Sequence, residues 1–277
     1  MLSSTWTFEQ YKGAIIGYKI KDILFKEESD YQLVEILESE DYGKIMLLDG
    51  CMMVNEKDEF FYHETIAHMP MSLVQNAEKV LVLGGGDGGT VRELAKYSQI
   101  KEIILVEIDG KVIEASKKHL PQTACGFDDP RVKICVQDAN EFLKTTSANS
   151  FDVIICDGSD PVGFAEILIQ KNFYELIKKA LKSNGVFITQ SGSPLAQEEE
   201  CKKTWKNLNL VFEHCNFAWS LVPCYPGAVW SFMLASKQDF GKYLNTELPK
   251  NCKFWNKEIF QALMSKPAFF TKLLSEN

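Results

Sequence analysis

Val80-Leu81-Val82-Leu83-Gly84-Gly85-Gly86-Asp87-Gly88-Gly89 is an apolar run that opens into a glycine-rich turn. Four consecutive apolar residues before a turn suit a strand buried on both faces. The glycines behind them match G-x-G-x-x-G, a spacing that lets the backbone turn tightly and approach a nucleotide ligand. A bare strand-to-helix turn could use the same residues, but five glycines in six positions exceed what such a turn needs.

Outward from this turn the texture repeats. Apolar runs at 80–83, 103–108, 132–136, 153–156 and 186–189 alternate with segments that predict helices near 88–98, 110–119, 172–182 and 196–208. That order implies a parallel sheet covered on both faces, with ligands in the crevice at the strands' carboxyl ends. Two later runs, 217–222 and 229–235, flank Pro223-Cys224-Tyr225-Pro226-Gly227 and predict a terminal antiparallel hairpin. On the other side, short β-prone runs between Tyr18 and Val54, broken at 38–43 and at Asp49-Gly50, predict a small antiparallel β-domain. A helical stretch through Tyr62, Ile66 and Met69 follows it. The expected organisation is an N-terminal β-domain over 1–60 and a Rossmann-like α/β domain over 61–277, with packing helices after Asn256.

Composition narrows the function classes. With 277 residues, 45% hydrophobic and 25% charged, the chain reads as an ordinary globular protein. No apolar run approaches the roughly 18 residues of a spanning helix, and the start lacks a basic segment followed by an apolar one, which predicts a cytosolic protein without a membrane partner. Eight cysteines are scattered without C-x-x-C pairs or His/Cys clusters at zinc spacing, so reduced core thiols and no metal are expected. A net charge of −8 with only two arginines, Arg92 and Arg131, argues against nucleic acid, which needs clustered cations to displace counterions. Cationic small molecules fit better, although acidity by itself also serves solubility.

Acids stand where the crevice should be. Asp87, inside the glycine turn, would repel a pyrophosphate or carboxylate and attract an ammonium; it could equally cap the following helix. Glu107 ends the second strand near the roughly 20-residue spacing at which an acid meets ribose hydroxyls. Asp138-Ala139 follows the third strand, where a carboxylate can accept from an adenine amino group. The fourth strand runs into Asp157-Gly158-Ser159-Asp160-Pro161-Val162-Gly163, with two carboxylates three residues apart. Such a segment is also a turn former, and only its place over an adenosine site makes it chemical.

Tyr62-His63-Glu64, the 84–89 loop, Val106-Glu107-Ile108-Asp109 and the Asp157–Gly163 segment together resemble the spermidine synthase signature, over about Tyr18 to Lys237. The resemblance implies a methyltransferase-type Rossmann sheet behind the β-domain, and decarboxylated S-adenosylmethionine as co-substrate, with no further cofactor. It implies that Gln32, Gly84, Gly86, Asp87, Glu107, Asp138 and Ala139 hold this donor, with Asp87 on its aminopropyl ammonium. Tyr62 and Asp157 would hold the attacking amine, and His63, Asp160 and Tyr225 the rest of a diamine acceptor. The family also suggests a homodimer or homotetramer. The chain departs from the family at Gly192, where bacterial members carry Glu in Gln-Thr-Glu-Ser-Pro, and at Phe164 and Gly158. A distal amine without its acid is bound less selectively, so putrescine, cadaverine, agmatine and longer polyamines stay open as acceptors.

The expected reaction is direct displacement by a neutral amine at the carbon beside the sulfonium, with Asp157 accepting the amine proton and the Tyr62 hydroxyl as a second acceptor. An S-adenosylmethionine-dependent methyltransferase shares the crevice, but Asp87 and the β-domain disfavour it. An inactive nucleoside-binding scaffold is disfavoured by the intact acids, and an NAD-dependent dehydrogenase by Asp87 facing a pyrophosphate.

Overall fold

The structure, a computed structural model, describes residues 5–11, 14–161, 163–240 and 249–275, and of Phe164 the backbone alone. Val162 and the Phe164 side chain, both singled out in the sequence, lie outside the described residues.

Strands β1 (Thr5–Tyr11), β2 (Ala14–Glu28), β3 (Leu33–Ser39), β4 (Lys44–Leu48) and β5 (Cys51–Asn55) pair antiparallel in chain order. The period of two divides their side chains between two cores. Val34, Ile36 and Met46 pack on Val112, Ala115 and Leu120, while Leu37, Ile45 and Leu47 join the core around Ile66 and Val82. The sheet is thus clamped onto the larger body by both faces. Strand β1 was not among the predicted elements; Trp6 and Phe8 are half or more exposed on it, so its pattern carries no inward apolar face.

Helix α1 (Phe60–Met71) leads into the second sheet and is buried over most of its length. That sheet contains β6 (Lys79–Gly84), β7 (Glu102–Glu107), β8 (Val132–Val136), β9 (Phe151–Asp157), β10 (Leu181–Gln190), β11 (His214–Leu221) and β12 (Val229–Ser236), ordered β11-β12-β10-β9-β6-β7-β8. The five central and outer strands β8-β7-β6-β9-β10 are parallel, and β12 and β11 close the other edge as the expected antiparallel hairpin. The helices between them are α2 (Gly89–Ala95), α3 (Gly110–His119), α4 (Pro121–Ala124), α5 (Ala139–Thr145), α6 (Lys171–Ala180) and α7 (Glu198–Asn209); α8 (Lys257–Leu263) and α9 (Ala268–Ser275) follow. The short α5 escaped the sequence reading; Asp138 caps it by accepting from Glu141 N–H.

Among the described residues all eight cysteines are free, but Cys51 and Cys125 are exposed and so are not core thiols. The fold also assembles His68, Glu93 and Cys252 within 4.8 Å of one another, a grouping that linear spacing hid. Glu93 there is already paired with Arg92 and Lys96.

Candidate active site

Strand order reverses between β6 and β9, the position at which open α/β sheets bind ligands. Gly84 and Asp157 face each other in register at the two strand ends. Gly84 has φ +81°, and a Cβ there would lie 2.3 Å from the Asp157 carbonyl oxygen, so only glycine lets the two strands approach. The crevice above them is a cavity of about 150 Å³, roofed by Glu9, Gln32, Met46 and Met52 of the β-domain.

At one end the acids are held by backbone. Glu107 accepts from Asp109 N–H at 3.0 Å, yet burial, with Asp109 beside it, pushes its carboxyl up to about 7. Asp138 accepts from Glu141 N–H at 2.8 Å while lining the cavity. Gln32 reaches across from the β-domain and donates to Asp109 Oδ2 at 3.0 Å. Asp87 accepts from Gly89 N–H at 2.7 Å; the N-cap itself is Gly88, in the left-handed region, and makes no side-chain cap. Asp87 therefore anchors the helix start through Gly89 N–H and also borders the cavity.

Behind Asp87 lies a charge network that the sequence did not reveal. His63 Nε2 sits 3.2 Å from Asp87 and its Nδ1 2.6 Å from Glu59, whose carboxylate also pairs with Arg92 at 2.8 Å. Burial alone would neutralise the imidazole, but Asp87 and Glu59 raise His63 to about 10. Against the same burial, His63 and Arg92 hold Glu59 down at about 2. His63 also keeps Asp87 below the usual carboxylate range despite burial. A Cβ on Gly89 would strike the His63 ring at 2.3 Å, which explains a second obligatory glycine. His63, expected among the substrate-contacting residues, does not line the cavity; it stands one layer back, where it fixes the charge of Asp87.

At the other end the acids are held by side chains from distant elements. Tyr62 donates its hydroxyl to Asp157 Oδ1 at 2.6 Å and Thr90 donates to Oδ2 at 2.6 Å. Burial, and then the charge of Asp87, push the Asp157 carboxyl up, which suits a proton acceptor. Tyr62 thus donates to Asp157 and orients it, while its hydroxyl oxygen keeps lone pairs with which to accept. Asp160 accepts from Gln197, and burial raises its carboxyl too. The Tyr225 hydroxyl donates to Met53 C=O at 2.6 Å, so its ring faces the cavity with the hydroxyl already engaged.

Eleven of the twelve expected residues, Gln32, Tyr62, Gly84, Gly86, Asp87, Glu107, Asp138, Ala139, Asp157, Asp160 and Tyr225, line this one cavity. The sequence reading missed Glu9, whose carboxyl is pushed up to about 7 by burial, with Asp160 adding to the shift. It also missed Thr90, Gln197 and Trp230. Among the described residues one buried oxygen of Glu9 has no hydrogen-bond partner, so the cavity keeps an acid near Asp160 although Gly192 supplies none. Gly192 borders a smaller side cavity, at φ +81°, and Gly158 accommodates Leu168, which a Cβ would meet at 2.7 Å.

Both parts of the chain match known families: residues 59–245 the spermine/spermidine synthase domain, and residues 5–56 the spermidine synthase tetramerisation domain. The polyamine aminopropyltransferase of Thermotoga neapolitana is 39% identical, over 97% of this chain and 93% of its own. Spermidine synthase of Solanum lycopersicum is 38% identical, over 95% and 81%. A crystal structure of spermidine synthase in complex with the transition state analogue AdoDATO superposes with a TM-score of 0.95, at 38% identity, covering 99% of this chain and 97% of that one. Matched in this way across both sheets and along nearly its whole length, the chain belongs to the spermidine synthase family and is a polyamine aminopropyltransferase.

Proposed function

We propose that the cavity binds decarboxylated S-adenosylmethionine along the glycine turn and a diamine, putrescine first among them, between Asp157 and Asp160. The observation that carries this is Asp157, a partly buried acid with one donor on each oxygen, in register with the glycine turn. Glu107 takes the ribose hydroxyls, Asp138 with Ala139 the adenine, and Asp87 the aminopropyl ammonium, with Gln32, Gly84 and Gly86 shaping the donor's path. Tyr225 and Trp230 flank the acceptor's methylenes, and Asp160 with Glu9 takes its far ammonium.

The near amine arrives protonated, since a model amine has a pKa of roughly 10. It gives one proton to Asp157, and its lone pair forms the C–N bond at the methylene beside the sulfonium. The C–S bond breaks toward sulfur, releasing 5′-methylthioadenosine, and Asp157 returns the proton to solvent. The sulfonium is already an activated leaving group, so this displacement needs positioning and a base but no metal or further cofactor.

The region at 5–56, matched by a tetramerisation domain, supports a homo-oligomer, and Trp6, Phe8 and Ile15 offer it exposed apolar surface. Among the described residues no helix is long and apolar enough to cross a membrane. We place the enzyme in the cytoplasm, with small molecules and not nucleic acid as its partners. Incubation with the decarboxylated donor and an amine panel, with products identified by mass, tests the reading. Spermidine and methylthioadenosine in equal amounts are expected with putrescine; methylated amine from intact S-adenosylmethionine would replace this reading with a methyltransferase.

A further inference from the structure

Behind Asp160 the cleft adjoins a second, smaller cavity. Gly158, Ser159, Asp160, Leu168 and Gln190 border both, and the far wall includes Gly192, Gln197, Glu200 and Thr204. Its polar groups are mostly engaged: Gln197 bonds Asp160 and Ser193 N–H, Thr189 bonds Gln190 C=O, and Ser191 bonds Ser231. Glu200 is the exception. Its Oε2 is buried and has no hydrogen-bond partner among the described residues.

The bland account of Glu200 is a helix-dipole role, because α7 begins Glu198-Glu199-Glu200. Glu198 and Glu199 are exposed and fit that account, whereas Glu200 is partly buried and lines the cavity. A buried carboxylate oxygen without a donor is costly unless a cation or donor arrives to satisfy it. Gly192 borders the same cavity, and a Cβ there would meet Gln197 Oε1 at 2.7 Å, so the glycine leaves room for the Gln197 side chain that holds Asp160.

We infer that Glu200 is a specificity-determining residue, and that the side cavity receives the far ammonium of α,ω-diamines longer than putrescine. The inference rests on the acceptor site proposed above and adds its outer limit. Size fixes the class of ligand: the cavity holds about 10 Å³, roughly the space of one water. A primary ammonium has that size and three donors to share between Asp160 and Glu200. A planar guanidinium does not fit. Putrescine ends at Asp160 and Glu9, and added methylenes carry the far ammonium past Asp160 toward Glu200.

The test compares kcat/KM for putrescine, cadaverine, hexamethylenediamine and agmatine in the wild type, Glu200→Gln and, as a control on the same helix, Glu199→Gln. One charge-assisted contact is worth about tenfold, so Glu200→Gln should lower the ratio of the better longer diamine to putrescine by about that factor. Putrescine and agmatine should change less than about twofold, and Glu199→Gln should change nothing. Pentylamine, which lacks the far ammonium, should be indifferent to Glu200→Gln. A melting shift with methylthioadenosine equal to that of the wild type shows that the variant is folded with its donor site intact. Unchanged ratios mean that the cavity holds a resident water only and overturn the inference while leaving aminopropyl transfer standing. A uniform loss across all amines also overturns it, since Glu200 would then merely support Asp160. Failure of every amine to yield methylthioadenosine in the wild type overturns the acceptor site and this extension together.

Discussion

The two ends of the cavity hold their acids by different means. At the glycine-turn end, Asp87, Glu107 and Asp138 accept N–H groups from residues two or three positions further along the chain, with His63 added behind Asp87. At the Asp157 end, Asp157 and Asp160 accept from Tyr62, Thr90 and Gln197, which are 95, 67 and 37 residues away in sequence, and among the described residues Glu9 and Glu200 each keep one buried oxygen unsatisfied. Local backbone donors create a rigid receptor that a strand-to-helix turn brings with it. Remote side-chain donors create an adjustable one, whose charge and reach depend on how distant segments meet.

On that contrast the largest effect comes from removing charge at the Asp157 end. Asp157→Asn keeps the shape and can still accept from Tyr62 or Thr90, but it cannot take the amine proton. Turnover at saturating substrates should fall ~10²-fold or more, about 3 kcal/mol on the barrier, while methylthioadenosine binding is preserved. Higher pH should partly rescue the variant, because more acceptor arrives neutral. Near-normal turnover in single-turnover measurements would reduce Asp157 to a turn former and transfer the base role to Asp160 or water.

A smaller effect, on stability, follows from burial at the glycine-turn end. Glu107 is an acid whose folded pKa, about 7, lies above its ordinary value of 4.5, so the folded state binds the proton more tightly than the unfolded one. The resulting penalty is absent below the ordinary value, grows as pH rises, and is complete above about 7. Glu107→Gln should therefore stabilise the ligand-free enzyme by on the order of 2 kcal/mol at about pH 8, with the gain vanishing near pH 4. The same variant should bind methylthioadenosine more weakly. Equal denaturant midpoints for variant and wild type at both pH values would show that the backbone N–H groups fully compensate the buried charge.

This division also explains what could be read from the sequence. The parallel sheet, the hairpin and the glycine turn were legible because each rests on local periodicity or on a local turn. Glu107 and Asp138 were legible for the same reason, as strand-end residues with a known place in the crevice. Strand β1 was not, since the exposed Trp6 and Phe8 erase the alternation that marks a buried face. Glu9 on that strand went unnoticed with it. Thr90 and Gln197 reside on or next to helices whose sequence gives no sign that one side chain turns toward Asp157 or Asp160. His63 was legible as part of a motif but not as a second-layer cation, because Glu59, Arg92 and Asp87 meet it only through the packing of α1 against α2.

Thr90 offers the finest test of the contrast, because it touches the reaction only through Asp157. It is fully buried, and Thr90→Val nearly preserves its volume while deleting the hydroxyl that donates to Asp157 Oδ2 at 2.6 Å. The bond favours the ionised carboxylate, so its loss should raise the Asp157 pKa beyond the elevation that burial and Asp87 already impose. An acid whose folded pKa rises is protonated over a wider pH range, and the acid limb of the kcat profile should move to higher pH. One hydrogen bond to a charged group is worth about 1.5 kcal/mol, which corresponds to a displacement of about one pH unit and roughly a tenfold loss on the acid limb, with recovery on the alkaline side. Rescue by Thr90→Ser, which restores the donor, would separate this electrostatic role from packing. A Thr90→Val enzyme whose kcat falls equally at every pH would instead mean that Thr90 positions the strand-end backbone and leaves the proton affinity of Asp157 to Tyr62 and burial.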